Sequence, residues 1–300
     1  MNIIQWKTVG ADVPISEPLL TQFKELVIGS LGLDLRKAPR RELERTVHRC
    51  ARAFSFDEMG AFIRWLVLSP LTKDKIETLA IQLTSGDTYF FRDKKTLEIL
   101  SAYVLPGLIQ SRCGRNQRLK IWSAGCCTGE ESYSLAILLD QLIPDIHEWD
   151  ITVVGTDVNV QFLQKAREGI YGERSLSTTP SWIRNHHFRR NENGHFEILP
   201  RIKKMVRFSF LNLLKDEYPS PLNDTNTIDL IFCREVLKHF APYYIPQVTE
   251  KLCRSLVEGG WLAISPGETS GALFSHCVAV DVPGIHLYQK KRKKRAQEFC

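Results

Sequence analysis

The stretch that decides the fold is Ile121-Trp122-Ser123-Ala124-Gly125-Cys126-Cys127-Thr128-Gly129-Glu130-Glu131. An apolar run ends in a glycine-bounded turn and two carboxylates follow at once. Tyr133-Ser134-Leu135-Ala136-Ile137-Leu138-Leu139 then reads as a buried helix. Strand, glycine turn and helix, in that order, open a doubly wound α/β nucleotide site. Glycine lets the backbone approach a ligand with no Cβ in the way, which makes Gly125 a candidate binding position.

The charge at that turn selects the ligand. A pyrophosphate needs the bare N-terminus of a helix and its dipole, and Glu130 and Glu131 would repel it. They suit a cationic ligand that carries ribose hydroxyls and an ammonium group. S-adenosylmethionine (SAM) has a sulfonium, an amino group and no phosphate. The plainer reading is that both glutamates favour the helix dipole. That accounts for one first-turn glutamate more easily than for two, and a lone GxxxG carries little weight without other segments.

Three hundred residues allow one large domain or two of ordinary size. With 43% hydrophobic and 25% charged residues, the chain is ordinary globular protein with length enough for a core. The net charge of +6 hints at an anionic partner. The 8 cysteines form no CxxC pair and no metal spacing with histidine, so no metal site is expected. Adjacent Cys126 and Cys127 point to free, buried thiols in a reducing cytosol, hence a cytoplasmic protein. There is no signal-peptide pattern at the N-terminus. Apolar runs such as Trp65-Leu66-Val67-Leu68 are too short to span a bilayer, so the chain is not expected to insert in one.

Residues 12–84 read as an all-helical domain. Leu19, Phe23, Leu26 and Val27 fall at helical spacing, and Gly29 and Gly32 are expected to break that helix. A second helix starts near Pro39, where proline suits a first turn. It gathers Leu43, Val47, Cys50, Ala51 and Phe54 on one side, with Arg41, Arg45, Arg49 and Arg52 on the other. A third helix runs through Phe62, Trp65 and Leu66. A fourth follows Thr72, with Ile76, Leu79, Ile81 and Leu83 facing inward. The arginine stripe is either a solvated face or a docking surface for nucleic acid or an acidic protein helix. No aromatic residues are interleaved with it, which weakens the single-strand nucleic-acid reading.

The junction is Ser85-Gly86-Asp87-Thr88-Tyr89-Phe90-Phe91-Arg92-Asp93. Thr88 could cap a helix. Phe90 and Phe91 read as packing between domains, or Arg92 faces a carboxylate in a cleft, which its rigid fork matches. Beyond the glycine turn, Ile151-Thr152-Val153-Val154-Gly155-Thr156-Asp157 is a buried strand ending in an acid. An acid there bonds ribose hydroxyls or caps the next helix. Residues 182–204 are basic and contain a small hairpin around Asn191-Glu192-Asn193-Gly194. Further strands are Val206-Arg207-Phe208-Ser209-Phe210, followed by Asn212-Leu213, and Ile228-Asp229-Leu230-Ile231-Phe232-Cys233, followed by Arg234-Glu235. A helix over about 246–256 leads to a fifth strand at Trp261-Leu262-Ala263-Ile264-Ser265. A last hairpin turns at Pro283-Gly284, and 291–300 reads as a basic, disordered tail or a lead into a further domain.

TYFFRD, IWSAGCCTGEESYSLA, GTDVNVQFLQKAREGIY, VRFSFLNL, DLIFCREVLKHF and LVEGGWLAI together resemble the CheR family of chemotaxis-receptor glutamate O-methyltransferases, from about Leu33 to Glu268. The resemblance implies a small all-α domain, then a Rossmann-like SAM-dependent methyltransferase sheet over 85–290. It also implies an inserted β-subdomain at about 183–205, which in some members grips a peptide at the receptor C-terminus. The helical domain would dock the cytoplasmic helical domain of the receptor through the arginine stripe. The family's cofactor contacts fall on Thr88, Arg92, Glu131, Asp157, Asn212, Leu213 and Arg234. This chain departs from the family at four positions. Gly86 and Glu235 stand where the family has asparagine, His239 where it has tyrosine, and Ser132 where it has proline.

The implied reaction forms a glutamate methyl ester and leaves S-adenosylhomocysteine. Arg92 and His239 are the candidate catalytic residues, and Glu235 a further cofactor-binding position. A carboxylate is ionised at neutral pH and needs no general base. The CREV ending of the fourth strand is not the NPPY type of amide or base N-methylation. Two other readings stay open: a regulatory module that binds SAM or its product without turnover, and a nucleic-acid methyltransferase whose binding would fall steeply with salt.

Overall fold

The computed structural model describes residues 15–268, 276–282 and 285–292. The chain divides into two compact units, residues 1–83 and 84–300.

Among the described residues the first unit contains four helices: α1 (Glu17–Leu31), α2 (Arg40–Ala53), α3 (Met59–Leu68) and α4 (Lys73–Leu83). Phe23, Val27, Leu43, Val47, Phe62, Leu66 and Leu79 are buried between them, and Phe54 stacks on Phe62 at 5.6 Å. Pro18 sits in the first turn of α1, where its missing N–H costs nothing. Gly29 does not break this helix. A glycine inside a helix costs about 1 kcal/mol, and burial of the flanking Ile28, Ser30 and Leu31 offsets that. The stop is Gly32, whose φ of 79° is the left-handed cap that glycine adopts without a Cβ penalty. On α4 only Leu79 and Ala80 are fully buried; Ile76, Ile81 and Leu83 are half-buried. All four arginines of the α2 stripe are exposed.

The second unit begins with α5 (Lys94–Ile99), a π-helical turn, and α6 (Leu105–Arg112). The cap of α5 is Asp93, whose carboxylate accepts the Thr96 N–H at 3.3 Å; Thr88 caps no helix. The elements that follow are β1 (Arg118–Ala124), α7 (Glu130–Leu142), β2 (Asp150–Asp157), α8 (Val160–Glu168), β3 (Ile170–Tyr171), α9 (Ser181–His187), β4 (Phe188–Arg190), β5 (Phe196–Ile198), α10 (Pro200–Lys203) and β6 (Val206–Phe210). Then come β7 (Ile228–Cys233), α11 (Ile245–Ser255), β8 (Leu256–Ile264), β9 (Cys277–Val282) and β10 (Ile285–Lys290).

The main sheet has seven strands in the order β6-β2-β1-β7-β8-β10-β9. Strands β6 through β8 run parallel, and β10 and β9 are antiparallel. Chain order reverses at β1, so the crevice at the carboxyl ends of β1 and its neighbours is the topological switch point. Strands buried on both faces carry continuous apolar runs. Ile121, Val153 and Leu230 pack with Leu135 and Leu139 on one side of the sheet. Trp122, Val154 and Ile231 pack with Val248 and Leu252 on the other. The last two strands pair as expected, Ile285 opposite Val282; the turn at 283–284 and residues 293–300 of the basic tail lie outside the described residues.

The inserted β-structure has three strands, in the order β3-β5-β4. The two-residue strand β3 lies well before the expected hairpin and is too short to announce itself by periodicity. A cavity of about 550 Å³ lies against this sheet, lined by residues that include Arg184, Phe188, Arg190 and Phe196. Phe90 packs inside this unit rather than between domains. Its ring meets Tyr171 and Phe188 edge-on, each at 4.9 Å. The seven described cysteines are free thiols, and Cys50, Cys126, Cys233, Cys253 and Cys277 are buried.

Candidate active site

Strand β1 delivers the chain into the bend at its carboxyl end. Gly125 has a φ of 77°, and a Cβ there would run into Val236. The N–H groups of Gly125 and Cys126 both donate to the Thr156 carbonyl, at 2.8 and 2.9 Å, which ties the bend to β2. Gly129 has a φ of 94° and precedes α7; a Cβ there would stand 2.8 Å from that of Ala166. Both glycines are therefore required by conformation and by space.

The two glutamates after the bend divide their work. Glu130 is 1% exposed, accepting from the Thr128 hydroxyl at 2.6 Å and the Ser175 hydroxyl at 3.0 Å. It ties the bend to the 173–176 turn. Glu131 turns instead toward β1. Its carboxylate accepts from the Ser123 hydroxyl at 2.6 Å. Burial pushes its carboxyl up to about 8, against the pull of Ser123 and of the Arg234 charge.

Asp157 ends β2, the strand paired with β1. One carboxylate oxygen accepts from the Cys127 N–H and the other from the Asn159 N–H, each at 2.9 Å. Burial raises its pKa against those two bonds. The helix cap is not Asp157 but Asn159, whose side chain accepts from the N–H groups of Gln161 and Phe162. Gly86, where the family has asparagine, has no room for a side chain; a Cβ would meet Phe162 at 2.9 Å and Cys127 Sγ at 3.1 Å. Thr88 is half-buried on the same segment.

After β6, the Asn212 side-chain carbonyl accepts from the Leu214 N–H at 3.1 Å and the Lys215 N–H at 3.3 Å. Leu213 is buried in the core, and its carbonyl takes the Tyr218 hydroxyl at 2.8 Å. These side chains shape the turn, while the strand places them at the same sheet end as Asp157.

The end of β7 holds the other half of the site. Arg234 pairs with Asp93 and donates to the Ile264 carbonyl at 3.2 Å. Its Nε is buried with no hydrogen-bond partner among the described residues. Arg92 donates to the Asp87 carbonyl and lies 3.8 Å from the Glu235 carboxylate. Lys238 holds the same carboxylate at 2.5 Å and lowers its pKa. His239 closes the short turn Leu237–His239. Its ring lies at the surface, and partial burial and the Lys238 charge hold its pKa below the ordinary imidazole value.

Three residues of this site escaped the sequence reading. Asp93 belongs to the TYFFRD segment but gave no sign that it pairs with Arg234. Glu268 is 4% exposed and accepts N–H groups from Glu235, Ser265 and Lys238 at 3.1–3.2 Å, which fixes the turn after β7. Ser265 adds its hydroxyl to the Glu235 N–H at 3.0 Å. No spacing rule links these positions; the parallel pairing of β7 with β8 brings Ser265 and Glu268 to the turn after β7, and Asp93 joins them through Arg234.

The donor set fits SAM. Glu131 and Asp157 accept no hydrogen bond from a lysine or arginine among the described residues, which suits hydroxyl and ammonium donors. The orphaned Nε of Arg234 suits a carboxylate. No group of residues able to hold a metal ion occurs among the described residues. No helix there is long and apolar enough to cross a membrane.

Comparison with known proteins agrees with this chemistry. The family model described as "CheR methyltransferase, SAM binding domain" matches residues 86–275. The "Chemotaxis protein methyltransferase" of Listeria innocua is 31% identical over 257 residues, 85% of this chain and 92% of that protein. The protein of the same description from Borreliella burgdorferi is 28% identical over 271 residues, 90% of this chain and 94% of its own. "Chemotaxis protein methyltransferase 1" of Pseudomonas aeruginosa is 32% identical over 72% of this chain and 77% of its own. A bend that offers carboxylates in place of bare amides thus sits inside a match covering more than half of the sequence, and the chain belongs to the CheR family of SAM-dependent methyltransferases.

Proposed function

We propose that this methyltransferase works in the cytoplasm and turns glutamate side chains of chemotaxis receptors into methyl esters. The observation that carries the reading is the crossed pairing of residues 92–93 with 234–235, Arg92 facing Glu235 and Arg234 pairing with Asp93, which sets two guanidiniums at one end of the sheet. An amine or hydroxyl substrate would need a base. A glutamate carboxylate is charged at neutral pH and needs none. The relatives named chemotaxis protein methyltransferases support a substrate in chemotaxis.

When bound, SAM supplies an electrophilic methyl group on a positively charged sulfur. Glu131 and Asp157 would hold its hydroxyl and ammonium groups, with Gly125 giving backbone clearance and Thr88, Asn212 and Leu213 completing the walls. Arg234 and Arg92 would hold carboxylates, and Glu235 borders the same cleft. His239, with its pKa lowered, would add a neutral ring where the family has a hydroxyl. The protein's part is then positioning and exclusion of water, and opposite charges that cancel are favoured by a drier cleft.

Arg41, Arg45, Arg49 and Arg52 would dock the acidic helical domain of the receptor. The cavity beside the β-subdomain, with Phe188, Phe196 and the two arginines Arg184 and Arg190, both paired with Glu173, would take a receptor C-terminal peptide.

Labelled SAM and receptor-containing membranes test the reading. Label released as volatile methanol by alkali is the expected result. Base-stable label on RNA or DNA would point to a nucleic-acid methyltransferase. Tight SAM binding with no transfer would point to a regulatory module. Either of those outcomes overturns the reading.

A further inference from the structure

Glu235 places a carboxylate where the resemblance to the family implies asparagine. Its backbone has a φ of 61°, a left-handed conformation. Asparagine visits that region readily and a longer side chain does so less easily. The N–H of Glu235 is fixed by the Ser265 hydroxyl and by Glu268, so the side chain leaves the turn in a set direction. It meets Lys238 at 2.5 Å and Arg92 at 3.8 Å. Arg92 is itself held by the Asp87 carbonyl and lies over the Tyr89 ring, 5.9 Å from its centroid. The guanidinium that the proposed function reserves for a carboxylate therefore already faces one from its own chain.

We propose that Glu235 is a resident competitor for Arg92, a built-in carboxylate that an arriving carboxylate must displace before the site can work. Lys238 sets the strength of this competition by sharing the Glu235 oxygens. The inference rests on the reading that Arg92 receives a carboxylate. That group has two sources, the amino-acid end of SAM or the glutamate side chain of the receptor. Arg92 and Glu235 are each more than a third exposed, so the competition is modest, about two- to fivefold in affinity.

The test uses the full chain and measures two constants: the dissociation constant of SAM by calorimetry, and the KM for receptor methylation by alkali-released methanol. Glu235→Gln and Glu235→Asn should lower one of them by about two- to fivefold. A fall in the SAM constant assigns the displaced place to the cofactor carboxylate, and a fall in KM assigns it to the receptor glutamate. Lys238→Ala should move the same constant in the opposite direction, because Glu235 is then left to Arg92 alone. The double variant should match Glu235→Gln. A merely structural role would weaken binding in every variant. If Glu235→Gln fails to fold, Glu235→Asn, whose side chain suits the left-handed backbone, still decides, because only the competitor predicts a lowered constant.

Unchanged or raised constants in Glu235→Gln, with ester still formed by the wild type, overturn the competitor and leave the function standing. Tighter SAM binding in Glu235→Gln, with no alkali-labile product from the wild type, overturns the function and leaves the competitor.

Discussion

The Ser123 hydroxyl donates a 2.6 Å hydrogen bond to the Glu131 carboxylate, joining the end of β1 to the start of α7 across the glycine bend. Burial still dominates, and the carboxyl is held up at about 8. Hydroxyl and ammonium donors from SAM would favour the charged form and pull that value down. Binding near neutral pH should therefore release a proton. Affinity should rise with pH toward about 8 and level off above it. Calorimetry in buffers of different ionisation enthalpy reads the proton directly. Glu131→Gln should abolish both the release and the slope, and a slope of opposite sign would remove Glu131 from the site.

The same group links to stability with a definite sign. Its pKa is raised from 4.5 to about 8, so its contribution is fully present below 4.5 and lost as pH rises through about 8. Without ligand, Glu131→Gln should melt above the wild type at about pH 9 and approach it in acid. With saturating SAM the order should reverse, because the variant binds the cofactor less well.

Gly125→Ala should destabilise the second unit for two separable reasons. The left-handed φ costs about 1–2 kcal/mol for a residue with a Cβ, and the clash with Val236 adds about 1–3 kcal/mol of overpacking. Val236→Ala in the same chain should recover the second part and not the first. Denaturant midpoints of the single and double variants measure this. Full recovery would show that the backbone strain is absent.

Asp93 both caps α5 and pairs with Arg234. Asp93→Ala should lower stability by about 1–3 kcal/mol through the unpaired, largely buried guanidinium, and by about 1 kcal/mol more through the lost cap. SAM affinity should fall with it, since Arg234 loses its anchor. Urea melts and cofactor titrations on one preparation check both effects.

Arg45→Ala combined with Arg49→Ala should weaken receptor methylation and leave SAM binding unchanged. Arg45 has no hydrogen-bond or ion-pair partner among the described residues. Arg49 donates to Thr46 and to the Gln82 carbonyl, at 3.2 Å each, so neither substitution breaks an ion pair among the described residues. Two exposed charge contacts at their usual worth predict a rise in KM of roughly 2- to 30-fold. Equal turnover by the double variant would refute the docking role.

Much of the fold was legible because its signals are local. Apolar strands, the GxxxG bend and the amphipathic α2 each depend on residues a few positions apart. The errors share one cause. Gly29 stayed helical because buried neighbours outweighed its propensity, and the capping roles given to Thr88 and Asp157 belong to Asp93 and Asn159. Local rules offer several candidates for such roles, and packing chooses among them.

The sequence by itself determined a parallel α/β sheet and an acidic bend suited to a cationic, phosphate-free ligand, since periodicity and charge order are carried by neighbouring residues. Only the tertiary structure decided how the two glutamates divide. Glu130 turns to Ser175, and Glu131 turns to Ser123. It also decided that Arg234 answers Asp93, that Arg92 faces Glu235 and that Glu268 fixes the turn between them. Those pairings join segments far apart in the chain, and nothing short of the folded sheet brings them within reach of one another.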